Sequence, residues 1–285
     1  MRQSLEAIAV ATEDEQLRLQ FLRGVLGWLS EWELELSPPV MGQLVHRRVR
    51  EITGQVDPYR KSKQAHTRLA LALLPALRDR VAASENQLET ALRLAVAGNA
   101  IDLGVKSFIS PAEVQTALEQ ALKAPLGGDL AAFQRAASQA ATILYLADNA
   151  GELVFDRLLL EELAALGGQI TVAVRGAPVI NDATLLEARE SGIFEVADVI
   201  DNGSDAPGTL LEETSPAFQR AFAAADLIIA KGQGNFESLS ETEAPLFFLL
   251  KAKCPVIAGH LGQAVGAYVL APSPWWARVS AVQAL

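Results

Sequence analysis

Thr142-Ile143-Leu144-Tyr145-Leu146-Ala147-Asp148-Asn149-Ala150-Gly151-Glu152 is the stretch that decides the fold. A short uncharged run gives way to a polar turn, and Leu153, Val154, Leu158, Leu159 and Leu163 then follow at helical spacing. Such a run, too short for a helix and apolar at successive positions, reads as a strand covered on both faces that feeds a helix. The pattern recurs in Ile170-Thr171-Val172-Ala173-Val174, in Val196 to Ile200 and in Asp226-Leu227-Ile228-Ile229-Ala230, each between helical stretches. This alternation predicts a parallel sheet with helices on both sides. Phe247 to Leu250, Val256 to Ala258 and Tyr268 to Leu270 extend it as further strands, the last an antiparallel edge.

Upstream the grammar is helical. Leu17, Leu19, Phe21, Leu22, Val25, Leu26 and Leu29 recur at three and four before Pro38-Pro39, which disfavours helix on its approach. Helices are expected after that pair, over Lys61 to Ala82 with a kink or break at Pro75, and over Glu85 to Ile101. Another starts at Pro111 behind Ser110 as N-cap, and one more follows a Gly127-Gly128-Asp129 turn. The expected fold class is α/β: an all-helical N-terminal domain, residues 1–138, packed on a three-layer α/β/α domain with a mainly parallel sheet, residues 139–285.

Composition narrows the function classes. At 285 residues the chain is long enough for a large core, and half of it is hydrophobic, which excludes a disordered or fibrous protein. A formal charge of −10 sets long-range repulsion against nucleic acid and anionic membranes, so neither is an expected partner. Cys254 is the single cysteine, and His46, His66 and His260 are scattered, so neither a disulfide nor a zinc cluster is expected. Glu6, Glu13, Asp14 and Glu15 sit where a secretory leader would be apolar, and no later run reaches the roughly eighteen apolar residues of a membrane span. A soluble, cytoplasmic protein is expected.

Ligands of open parallel sheets bind beyond the carboxyl ends of the strands. Four strand ends here are polar: Asp148-Asn149-Ala150-Gly151-Glu152, Arg175 through Asn181-Asp182-Ala183-Thr184, Asp201-Asn202-Gly203-Ser204, and Lys231-Gly232-Gln233-Gly234-Asn235-Phe236-Glu237. Two carboxylates and an amide oxygen suit a hard divalent cation such as magnesium or manganese, making Asp148, Asn149 and Asp182 the candidate ligands. Lys231 can neutralise a phosphate, while Gly232 and Gly234 let backbone N–H groups approach an anion. The plain alternative is that Asp148 and Asp182 cap helices and the glycines only turn; it leaves the shared polarity of four strand ends unexplained.

Gly232-Gln233-Gly234 is half of a dinucleotide fingerprint, but Glu237 replaces the third glycine and the motif follows a late strand. No Gly-Lys-Ser/Thr end marks a nucleotide-hydrolase loop. A haloacid-dehalogenase-type phosphatase needs a second Asp where Ala150 stands.

Taken together, Ala147-Asp148-Asn149-Ala150-Gly151-Glu152 leading into Phe155-Asp156, then Asn181-Asp182-Ala183-Thr184, and Lys231 to Glu237 resemble the motifs of the damage-control metal-dependent phosphatases. In the helical half, Asp57-Pro58-Tyr59 with Lys61 and Lys63, and Ala97-Gly98-Asn99-Ala100-Ile101-Asp102-Leu103-Gly104, match as well, so the resemblance runs from about Asp57 to Ala258. It implies a phosphomonoester hydrolase that uses manganese, cobalt, nickel or magnesium on a small phosphorylated metabolite, a sugar phosphate or a damaged phospho-cofactor intermediate. By the same resemblance the ligands map onto Asp148, Asn149 and Asp182, the phosphate-side lysine onto Lys231, and substrate contacts onto Asn99, Asp102, Gly232, Gly234, Asn235 and Glu237. Microbial members often carry an early Cys-x-x-Cys pair, whereas no cysteine precedes Cys254 here. Glu152, in the first turn after the ligand pair, is placed to orient a water or simply to complement the helix dipole. Two other function classes stay open: a protein carboxyl methyltransferase, against which the first strand lacks a glycine-rich methyl-donor loop, and a non-catalytic metal- or metabolite-binding regulator.

Overall fold

The computed structural model describes residues 2–31, 36–100, 111–276 and 278. The N-terminal region folds into α1 (Arg2–Ala11), α2 (Glu15–Glu31), α3 (Pro38–Thr53), α4 (Arg60–Ala82), α5 (Gln87–Ala100) and α6 (Pro111–Lys123). Ser37, held extended ahead of Pro38, ends the approach and lets both prolines occupy the first turn of α3. Pro75 does not break α4, one of the two outcomes expected of it. It removes one N–H, whereas Ala70, Leu74, Leu77 and Val81 bury a common face that holds the helix on both sides of it. Ser110 and Asp102 lie outside the described residues.

The remainder alternates between strands and helices: β1 (Leu126–Gly128), α7 (Leu130–Gln139), β2 (Thr142–Leu146), α8 (Leu153–Ala165), β3 (Gln169–Val174), α9 (Leu185–Glu190), β4 (Asp198–Asp201), α10 (Pro216–Ala224), β5 (Leu227–Lys231), α11 (Gly232–Leu239), β6 (Leu246–Lys251), α12 (Pro255–His260) and β7 (Tyr268–Pro272). Among the described residues these strands form one sheet in the order β1-β7-β6-β5-β2-β3-β4. From β4 to β6 the pairs are parallel, and β7 joins β6 antiparallel. The fold is therefore α/β with a mainly parallel sheet and an N-terminal helical region.

Two expectations need correction. Val256 to Ala258 belong to α12, because Pro255 opens a helix behind an extended Cys254. Gly127 and Gly128, read as a turn with Asp129, instead join Leu126 in an edge strand whose partner is β7. No apolar period marks it, and Gly128 serves the pairing instead: its φ is +113°, and a Cβ there would stand 1.8 Å from the Leu270 carbonyl oxygen.

Alternation along the strands divides the core between the two faces. Tyr145, Val172, Val174, Leu227, Ile229, Phe247 and Leu249 face α4 to α8, while Leu144, Leu146, Ile228, Ala230, Phe248 and Leu250 face α10, α11 and α12. The helices α1, α2 and α3 have a smaller core of their own around Phe21, Val25, Val45 and Val49. Arg47 and Arg50 tie α3 to Asp205 in the loop after β4, and Arg50 also donates to the Pro178 carbonyl at 2.7 Å. Those ties set α3 over the carboxyl ends of the strands. After β4 the chain crosses to the other side of β2 to make β5, so β2 and β5 flank the switch in strand order where open sheets bind ligands. Among the described residues no helix is long and apolar enough to cross a membrane.

Candidate active site

The loops leaving β2 and β3 are stitched together by their own backbones. Ala150 N–H donates to the Asn181 carbonyl at 2.9 Å, Ala183 N–H donates to the Asp148 carbonyl at 2.8 Å, and Asn149 pairs with Asp182 in an antiparallel bridge. This short ladder brings Asp148, Asn149 and Asp182 to one cleft of about 250 Å³. Ile180, in the turn that Asp182 N–H closes on the Val179 carbonyl, has a φ of 43°. That left-handed conformation costs a β-branched residue about 1–2 kcal/mol, held in place by the packed loops around it.

Helix capping does not account for the two aspartates. Thr184 caps α9 in a capping box with Glu187, and Glu152 occupies the N-cap position of α8. Asp182 instead accepts from Arg175 Nε at 2.7 Å, and its backbone carbonyl lies 3.4 Å from Lys63 Nζ. Burial pushes the Asp182 carboxyl up, against the pull of Arg175 and Lys63. Asp148 is pushed up to about 8 by burial first, then by the neighbouring charges of Glu152 and Asp182, with Arg175 and Lys253 opposing.

The residues present fit a hard cation. Gly232 has φ +79°, and a Cβ on it would come within 1.9 Å of Asp148 Oδ2, so only glycine leaves that carboxylate its place. Among the described residues no group of three or more His, Cys, Asp or Glu side chains is arranged to hold a metal. A cation here would take two carboxylates, the Asn149 oxygen and water, which is how magnesium-type ions are commonly held.

A sequence model of the damage-control phosphatase ARMT1-like domain matches residues 1–269. The chain belongs to this family. It is 36% identical to the protein MJ0202 of Methanocaldococcus jannaschii, over 95% of this chain and 91% of that one. It is 35% identical to a damage-control phosphatase of Archaeoglobus fulgidus, covering 90% of each chain. A crystal structure of the DUF89 family protein PH1575 from Pyrococcus horikoshii superposes with a TM-score of 0.87 at 32% identity, covering 94% of each chain.

Within this ARMT1-like domain the other residues singled out in the sequence take different positions. Gly234 and Glu237 line the cleft, with Gln233 donating to Glu237 Oε1 at 2.8 Å. Asn235 is buried behind it: its amide donates to the Lys231 and Ala147 carbonyls, at 2.8 and 3.3 Å, and its oxygen accepts from Thr209 at 2.8 Å and Arg175 at 3.3 Å. Lys231 is wholly buried, its ammonium at 2.5 Å from Glu152 Oε1, bonded to Asp156, and 3.1 Å from the Ala95 carbonyl. An ammonium has three hydrogens, and these three acceptors engage them. Asn99 lies on α5, its side chain outside the described residues, as is all of Asp102.

Sequence reasoning gave no role in the site to several residues of this neighbourhood. Arg175 directly follows β3 and reaches Asp182, Asn235 and Thr209 from one guanidinium. Gln3 of α1, with Pro38, Pro39 and Gly42 of α3, supplies the opposite wall of the cleft. Lys253, between β6 and α12, is an exposed cleft residue that makes no ion pair among the described residues. A charged residue directly after an apolar strand was the signal available for Arg175; Lys253 stands two places past the end of β6, and for the wall of α1 and α3 there was no signal.

Proposed function

We propose that the chain is a divalent-metal-dependent phosphatase of small phosphorylated metabolites, sugar phosphates or damaged phospho-cofactor intermediates. The observation that carries this reading is the Asn149–Asp182 bridge, which joins two strand-end loops and sets two carboxylates and an amide in one cleft. Asp148, Asn149 and Asp182 would hold manganese, cobalt, nickel or magnesium, which when bound supplies a Lewis acid toward a phosphoryl oxygen. The relatives named as damage-control phosphatases support the activity.

The chain's own residues then bind and orient. Lys253 brings the cleft an exposed positive charge for the phosphate, and the first turn of α11, opened by Gly232, directs N–H groups toward the same anion. Gln3, Gln233 and Glu237 offer donors and acceptors to a hydroxyl-rich organic portion. The helices α1 and α3 give the cleft its second wall, through Gln3, Pro38, Pro39 and Gly42.

The test is a screen of phosphorylated metabolites with metal-stripped protein, with each of the four ions added and with a chelator. Phosphate release should require an ion and vanish with the chelator. Equal turnover by the stripped protein sinks the reading.

A further inference from the structure

Asn149 Nδ2 lies 3.1 Å from Asp148 Oδ2 and 3.1 Å from Glu152 Oε2. With a cation beside Asp148, which favours its ionised form, both carboxylates only accept, so both amide hydrogens are spent on them and Oδ1 is the atom left to face that cation. Glu152 is wholly buried, and a carboxylate there needs a counter-charge, which Lys231 gives at 2.5 Å. The end of α5 closes over this pair at Gly98, where a Cβ would come within 3.0 Å of Glu152 Cγ and 2.9 Å of the Phe155 ring. Lys231 is thereby sealed from the cleft and engaged on its inner side.

We infer that Glu152, fixed by the buried Lys231 ammonium, is the positioning residue that turns the Asn149 side-chain oxygen toward the metal. Lys231 acts on the reaction through two intervening side chains and without touching the phosphate. The inference rests on the metal site of the proposed function and on nothing about the substrate.

Glu152→Gln tests it with almost no change in volume. Lys231 can only donate, so the new side chain must offer it the oxygen and point its nitrogen at Asn149. Asn149 then has to rotate, presenting its own nitrogen to the cation. Titrating the metal-stripped full chain with Mn²⁺ by calorimetry should show a Kd weakened roughly 10–100-fold, the usual range for losing an outer-shell partner of a metal ligand. Asp156→Asn removes a charge from the same lysine without touching Asn149, and should shift Kd by no more than about threefold. Adding Asn149→Asp to Glu152→Gln restores an acceptor toward the new nitrogen and an oxygen toward the metal, so binding should recover; this double variant also decides the case if the single one is unstable. An unchanged Kd in Glu152→Gln, equal losses in Asp156→Asn, or no recovery in the double variant overturns the inference while the metal reading stands. Failure of the parent chain to bind Mn²⁺ overturns both.

Discussion

Arg175 donates from Nε to Asp182 Oδ2 at 2.7 Å while its NH2 group stands 4.0 Å from Asp148 Oδ1, so one guanidinium spans two candidate ligands. The group is nearly buried, and its other nitrogen reaches Thr209 and Asn235. Lysine would keep the charge but lose this planar fork. Arg175→Lys should therefore lower kcat/KM on the order of 10–100-fold, mainly through weaker metal binding. Arg175→Met, which strips Asp182 of its ion pair in a buried setting, should in addition destabilise the fold by about 3–5 kcal/mol. Steady-state kinetics across metal concentrations and thermal melts separate the two effects.

The second prediction uses stability alone. An ion that binds only the folded chain stabilises it by mass action, about 2.7 kcal/mol at a hundredfold excess over Kd. Manganese should raise the Tm of the parent chain and leave Asp148→Ala and Asp182→Ala unmoved, with both variants losing nearly all activity. A full manganese shift in either variant would remove that aspartate from the ligand set.

Lys253 and Lys231 invite opposite outcomes. Lys253 is exposed at the cleft, without an ion pair among the described residues. Lys253→Ala should leave Tm within a degree or so of the parent and metal affinity unchanged or slightly higher. Its kcat/KM for a phosphate ester should fall on the order of a hundredfold, the scale of one charge-stabilising contact. Lys231→Met should instead lower Tm strongly, because Glu152 and Asp156 would remain buried without their cation. Kinetics and melts on the same preparations check both.

The candidate site was legible as far as polarity after apolar runs could carry it. Asp148, Asn149 and Asp182 stood out because a buried parallel strand tolerates no such residues until it ends, and all three line the cleft. The direction of Lys231 follows from parity instead. It is the last residue of β5 and shares a face with Leu227 and Ile229, under α5 and α8. A second sign was present at the start of α8, where Glu152 and Asp156 stand four apart with only Leu153, Val154 and Phe155 between them and so share one helical face. Strand β1 had no such sign, since its glycines form a strand only because β7 offers an edge. The second core, around α1 to α3, was visible as helices, but its place over the cleft depends on Arg47, Arg50 and Asp205, partners more than a hundred residues apart in sequence.

The last prediction concerns that covering unit and acid. His46 lies in α3, beside Tyr59 with ring centroids 5.8 Å apart, and is 6% exposed. Burial, and secondarily the charge of Arg50, lower its pKa from 6.5 to about 4. The folded state therefore holds a neutral imidazole where the unfolded chain would already be protonated. Stability from this group is complete above pH 6.5 and is lost as the pH falls toward 4, because the unfolded state binds the proton first. At about 1.4 kcal/mol per pKa unit the loss amounts to roughly 3 kcal/mol. Because His46 packs in the element that carries Pro38, Pro39 and Gly42, acid should loosen the wall of the cleft. Melts of the parent chain and of His46→Leu from pH 7 to pH 4 test this: the parent should lose stability more steeply, and parallel curves would assign the acid sensitivity to other groups.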